Sequence, residues 1–320
     1  MERNSLSPWL TAVSLLLTLV MAFIPTTSTE YIFLEIAMWV LILISVSYST
    51  ELTLSLFNVT VWYNVLVVSV LITVPQTIIA LQLANQGLYL AAWLDSILST
   101  VVDATIATAL VRRHIIGSTY IKGLLPNMVA WSIIAFTINV ATATSYTPNW
   151  LMAAWLIAGY IALPLWIVKR TGGGGTIPPP NVLFNSFLNT VALAVASYYL
   201  SEALYQLRLS EASLGVVATV LATLPDLIVA LIIRSAFSLI IGDVASDQEV
   251  VATMLAGAIH DQISVPALIL LLDPKAAPYF PHEVALFAIV VKFALLDRKV
   301  FYLIGLPASI ALLIGLGAHH

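Results

Sequence analysis

Cysteine is absent from the 320 residues. That excludes disulfides, a zinc–thiolate centre and a cysteine nucleophile. Charge is scarce: only 9% of residues are Asp, Glu, Lys or Arg, against about 25% in a soluble domain. The formal net charge of −4 comes with no basic patch, so nothing favours nucleic acid as a partner. No P-loop or other nucleotide-binding motif is visible. The chain therefore reads as no enzyme, with no bound cofactor and no nucleotide to drive it.

What remains is hydrocarbon. Hydrophobic residues make up 61% of the chain, and the mean hydropathy is +1.02. That predicts an all-α polytopic membrane protein with the lipid bilayer as its principal partner. A bilayer core takes about 20 apolar residues per helix. About 11 spans follow: 8–25, 31–50, 62–83, 88–111, 121–145, 149–168, 183–206, 213–235, 248–272, 283–297 and 300–317. The first has no basic leader beyond Arg3 and no small-residue cleavage site, so it reads as a retained helix.

With the N-terminus in the cytoplasm, Arg3, Arg112, Arg113, Lys122, Lys169, Arg170, Arg234, Arg298 and Lys299 fall inside. Arg208 and Lys275 fall outside, and Lys292 sits within the tenth span. Nine against two is a positive-inside bias. It predicts an integral protein of the plasma (cell) membrane with an external C-terminus.

A shift of 150 lays "VLVVSVLITVPQTIIAL" (65–81) over "GVVATVLATLPDLIVAL" (215–231), with eight of 17 positions identical. The coincident Thr73/Thr223 and Pro75/Pro225 carry most weight. Residues 1–30 then hold an extra N-terminal helix and 31–168 a first five-helix repeat. Residues 169–182 form a Gly/Pro-rich cytoplasmic linker, "RTGGGGTIPPPN" within it, and 183–317 a second repeat. By the span count the two proline-bearing helices run in opposite directions. Inverted repeats with interrupted helices at matching positions point to a secondary transporter with a midplane site. Pro75 and Pro225 are therefore expected at helix breaks, where freed carbonyls face a ligand; packing alone is the alternative.

Three aspartates lie deep in apolar spans: Asp103, Asp226 and Asp261. Each costs roughly 2.5–3.5 kcal/mol on insertion scales. No Lys or Arg at that depth pairs with all three, although Lys292 could engage one. Protons or a metal cation must offset the charge, and carboxylates with carbonyls and hydroxyls suit a hard ion such as Ca2+. Hydrogen-bonded, protonated aspartates in a packed core are the alternative. Asp95 lies two turns before Asp103 and either lines an access path or is solvated near a helix end. His260 adjoins Asp261 and is either a proton carrier or structural. Thr73, Thr223 and Ser99 offer hydroxyls to an ion, or to their own helix. Glu35 and Glu202 are expected near the outer surface.

These segments resemble the cation/Ca2+ antiporter superfamily, which includes the Na+/Ca2+ and H+/Ca2+ exchangers. Its two repeats carry a G-T-S-L-P-E-like element and a G-N-x-x-G-S-N-I-x-[ND]-like element. "LITVPQ" (71–76) and "LATLPD" (221–226) resemble the first; "LDSILSTVVD" (94–103) and "ATMLAGAIHD" (252–261) resemble the second. The resemblance implies ten helices plus one, and cation ligands at Asp226, Asp103, Asp261, Thr73, Thr223 and Ser99. Gln76, a further candidate ligand through its neutral amide oxygen, stands where the family's first repeat has an acid, and Gly257 where the second has a serine.

The expected function is a secondary antiporter exchanging an inorganic cation, Ca2+ by this reading, for Na+ or H+. Two other classes stay open. One is a non-transporting or ion-sensing protein with a degenerate site. The other is an intramembrane aspartyl protease, which "VPAL" (265–268) faintly suggests although its G-x-G-D element is missing. The oligomeric state is not legible.

Overall fold

The structure is a computed structural model. It describes residues 12–13, 15–21, 31–56, 69–111, 179–232, 234–235 and 243–273, with 275, 299, 302, 303 and 307. The spans proposed at 121–145, 149–168 and 283–297 lie outside the described residues, as do Lys292, the glycines of the linker and most of 300–317.

Seven helices form the body of the described bundle, beside a further helical stretch at 15–21, and no strand accompanies them among the described residues. They are α1 (Ile32–Leu56), α2 (Ser69–Asn85), α3 (Tyr89–Leu110), α4 (Pro180–Gln206), α5 (Glu211–Ala222), α6 (Leu224–Ile232) and α7 (Asp243–Leu272). Among the described residues, four stretches are long and apolar enough to cross a membrane: Ile32–Thr50, Tyr89–Leu110, Pro180–Gln206 and Glu211–Ile232. The protein is an integral membrane protein built from helices, the architecture that satisfies its own backbone in lipid.

The proposed linker ends earlier than its composition suggested. Pro179 caps α4, and Pro180 opens it. Proline's fixed φ suits the first helical position, and its missing N–H is no loss there.

Short connections set neighbours. α2 passes to α3 through Gly87, at φ +79. Leu88 N–H donates to Leu83 O and Gly87 N–H to Ala84 O, both 2.9 Å. This paired stop needs the left-handed conformation that glycine adopts freely. α2 and α3 consequently turn back on each other. α5 starts at a serine cap, Ser213 N–H donating to Ser210 Oγ at 3.4 Å.

One end of the bundle is fastened by polar contacts. Gln82 of α2 and Gln86, just past its end, donate to Glu202 of α4 at 3.4 and 3.1 Å. α3 has no side-chain cap of its own; instead Leu90 N–H donates to Glu211 of α5 at 3.0 Å. The Tyr89 hydroxyl donates to Asp273, just past α7. That bond, then the Lys275 backbone N–H, holds the Asp273 carboxyl below its ordinary range. At the start of α1, Glu35 is buried and accepts from Trp39 Nε1 at 3.5 Å.

Packing is reciprocal between the two segments of chain. α1 lies against α4 and α6, α2 against α3, α4 and α7, and α3 against α5 and α7. Lipid offers helices no hydrophobic gain on association, so small residues that let backbones approach do much of the joining. Ala218 and Ala222 of α5, and Ala91 and Ala92 of α3, are fully buried. At Gly215 the approach is close: a Cβ there would stand 2.8 Å from Leu94 Cβ and 2.9 Å from Ala91 O.

Gly215→Ala therefore sets two effects against each other. Helix propensity gains about 0.5–1 kcal/mol, and overpacking costs about 1–3 kcal/mol. Backbone atoms cannot swing aside, so a net loss is expected, read as a lower thermal midpoint in detergent. Unchanged or raised stability would mean that α3 and α5 cross less closely than described.

Candidate cation site

The two proline helices differ. α2 runs unbroken from Ser69 to Asn85 through Pro75, which corrects the expectation of a break there. Pro75 costs the Leu71 carbonyl its donor, but α3, α4 and α7 support the helix on its packed faces. One turn along, Thr77 Oγ1 donates to Thr73 O at 2.7 Å. At Pro225 the helix does break. α5 stops at Ala222, Thr223 turns, and α6 restarts at Leu224. The Thr223 carbonyl accepts both Asp226 N–H (3.1 Å) and Leu227 N–H (3.3 Å). Asp226 thus lands in the first turn of α6, where a helix dipole favours negative charge.

The residues that follow the two prolines meet. Gln76 Nε2 donates to Asp226 Oδ2 at 2.6 Å, between positions 150 apart. Asp103 of α3 abuts the Asp226 carboxyl. Asp261 of α7 lies within electrostatic range of both. Gln76, Asp226 and Asp261 are wholly buried, and Asp103 is 1% exposed. α2, α3, α6 and α7 therefore bring these four polar residues into one region. Gln76 Oε1, Asp103 Oδ1, Asp226 Oδ1 and both Asp261 oxygens have no hydrogen-bond partner.

The hydroxyls divide. Thr223 donates to Thr219 O at 2.8 Å, and Ser99 to Ser96 O at 2.8 Å while lying beside the Asp261 carboxyl. Both therefore satisfy their own helix, as hydroxyls in apolar helices commonly do. Thr73 is buried one turn before Gln76. Asp95 is wholly buried beside Thr219 and in range of Asp261; a solvated position is excluded. His260 is buried on α7 next to Asp261 in sequence.

Sequence reasoning missed Ser96 and Thr219. Ser96 Oγ donates to Asp261 O at 2.6 Å and ties α3 to α7. Thr219 Oγ1 donates to Gly215 O at 2.8 Å and reaches Leu94 O at 3.5 Å. The signal existed: Thr219, Thr223 and Asp226 fall at i, i+4 and i+7, one helix face. Ser96, Ser99 and Asp103 fall at i, i+3 and i+7, likewise one face of α3.

No Lys or Arg is buried among the described residues. Nor do three His, Asp or Glu side chains among them stand as a ready-made metal cage. Chemically the arrangement is an occluded set of oxygen acceptors, partly closed on itself by the Gln76 amide.

No protein-family model matches the chain, and no curated protein matches it in sequence. One solved structure is similar in fold: the sodium-calcium exchanger NCX_Mj, soaked with Na+ and Sr2+. The identity is 15%, the TM-score 0.52, and the match covers 87% of this chain and 96% of that one. At that identity the likeness is one of fold.

The Gln76–Asp226 bond gives a direct test. Removing one partner of a buried bond costs about 1–3 kcal/mol, whereas removing both costs less. A double-mutant cycle of Gln76→Leu and Asp226→Leu should return a coupling of about 1–3 kcal/mol in unfolding free energy. Additive losses would show that the two side chains do not meet.

Proposed function

We propose that the chain is a secondary cation antiporter that exchanges Ca2+ for Na+ or H+ by alternating access. The observation that carries the reading is the gathering of Asp103, Asp226, Asp261 and Gln76 in a buried region without a buried lysine or arginine among the described residues. Uncompensated carboxylates at this depth are costly, and intramembrane acids commonly mark ion pathways. A hard cation would take the free carboxylate oxygens, with Thr73 and, once released from their own helices, Thr223 and Ser99 as hydroxyl ligands.

The meeting of Gln76 with Asp226 supports an inverted repeat, because residues equivalent under a two-fold axis meet only beside that axis. The reciprocal packing of α2 on α4 and of α6 on α1 is what such an axis implies. The fold likeness to an exchanger supports transport over enzymatic chemistry. Under this reading the N-terminus is cytoplasmic, the C-terminus external, and the membrane the plasma membrane.

The mechanism follows from the asymmetry. In the closed state the Gln76 amide and the Asp103 carboxyl occupy Asp226. A cation that takes Asp226 must displace the amide, and an ion that leaves lets it return. Competing ions use the same carboxylates, so occupancy by one opposes the other. Sliding of one group of helices against the rest would open the site to either side.

An abutting carboxyl pair is also what an aspartyl protease needs. Against that class stand the missing G-x-G-D element and a pair sealed by Gln76.

Asp226→Asn is expected to abolish cation-driven flux in proteoliposomes. Gln76→Glu should retain flux with a changed pH or Na+ dependence. Normal transport by Asp226→Asn would remove the centre of the reading; cleavage of a membrane peptide by wild type, lost in Asp226→Asn, would replace it.

A further inference from the structure

Asp95 lies beyond the cluster just described. It sits eight residues from Asp103, about 12 Å along α3 at 1.5 Å per residue. Its side chain has no exposed surface, and neither carboxylate oxygen has a hydrogen-bond partner. The same is true of Asp261.

The segment Leu94–Ser96 is wedged between two other helices. On one side Thr219 of α5 reaches Leu94 O at 3.5 Å, with its hydroxyl beside the Asp95 carboxyl. That approach depends on Gly215 one turn earlier, where α5 nearly touches α3. On the other side Ser96 Oγ holds Asp261 O at 2.6 Å. Asp95 and Asp261 are therefore brought into electrostatic range by fixed interhelical contacts, not by floppy side chains. Carboxyl groups so deeply buried within range of each other need a proton or a cation to offset their charge.

We propose that Asp95 and Asp261 form a second hard-cation subsite, with Thr219 as its hydroxyl ligand, built by α3, α5 and α7 beside the Gln76–Asp226–Asp103 cluster. Four free carboxylate oxygens and a hydroxyl are the start of the oxygen shell such an ion takes, waters completing it. Asp261 is shared, so occupancy of one subsite is felt at the other. Asp95 also returns to the first half of the chain the negative charge that Gln76 withholds. The proposal rests on the transporter reading for its purpose, but its binding chemistry can be measured apart from transport.

The experiment is equilibrium binding of 22Na+ and, separately, 45Ca2+ to the purified full-length chain in lipid nanodiscs. Wild type, Asp95→Asn, Asp95→Glu and Asp226→Asn are compared. Asp95→Asn should lose one bound cation or weaken it at least tenfold. Asp95→Glu should restore it, and Asp226→Asn should keep the Asp95-dependent ion. The tracer that is lost identifies Na+ or Ca2+ as the occupant. Equal stoichiometry and affinity in wild type and Asp95→Asn overturn the proposal while leaving the transporter reading intact. Binding without flux in wild type overturns the transporter reading alone; no cation bound by wild type overturns both. Should Asp95→Asn fail to fold, by its melting curve and gel-filtration profile, Thr219→Val is read instead. A several-fold weaker cation supports the subsite, and unchanged affinity overturns it.

Discussion

Four carboxyl groups, Asp95, Asp103, Asp226 and Asp261, are withdrawn from water in a bundle that buries no lysine or arginine among its described residues. Solvating an acid in such surroundings takes a donor, a proton or a cation. The helices supply few donors. Backbone N–H groups are committed to the helices themselves, and the hydroxyls of Ser99, Thr219 and Thr223 already donate to main-chain carbonyls. Gln76 aims its amide at the group and donates to one oxygen of Asp226. Two close contacts join the helices that carry these acids: the α3–α5 crossing at Gly215 and the Ser96 tie to α7.

The two prolines, aligned by the 150-residue shift, sit in helices that behave differently. Pro225 sits just after a real interruption, and the restarted helix puts Asp226 at its N-terminal turn. Pro75 lies in a continuous helix whose packed neighbours hold it straight enough to carry on. The side with the break carries the acid, and the continuous side carries the neutral amide. A charged residue gains from a helix N-terminus, whereas an amide has no such need. Backbone geometry and side-chain charge therefore differ in the same sense, and the region is asymmetric in both.

Much of this was legible in the sequence because lipid makes polar residues conspicuous. Asp103, Asp226 and Asp261 stood out against long apolar runs, and the span 88–111 differs from α3 by only a residue at each end. The 150-residue shift aligned Gln76 with Asp226 before any contact between them was known. What the sequence hid was local or tertiary. Whether a proline breaks its helix depends on what packs around it, so Pro75 and Pro225 looked alike. Pro179 and Pro180 read as linker, although proline is at home where a helix begins. Asp95 near a helix end suited solvent as well as burial, and only the approach of α5 and α7 decides for burial. Ser96 and Thr219 were lost among many hydroxyls; their spacing to Asp103 and Asp226 marked them, but their partners lie on other helices.

The central claim is that a hard cation replaces the Gln76 amide among these carboxyls. A density map of the protein in lipid, with Sr2+ as the anomalous scatterer, tests it most directly. The account predicts a peak bonded to Asp226 and at least one of Asp103 and Asp261, at about the 2.3–2.6 Å typical of a Ca2+-like ion, with the Gln76 amide nitrogen turned away from Asp226. A map with no peak among these carboxyls at saturating Sr2+, and with the Gln76–Asp226 bond intact, would contradict it.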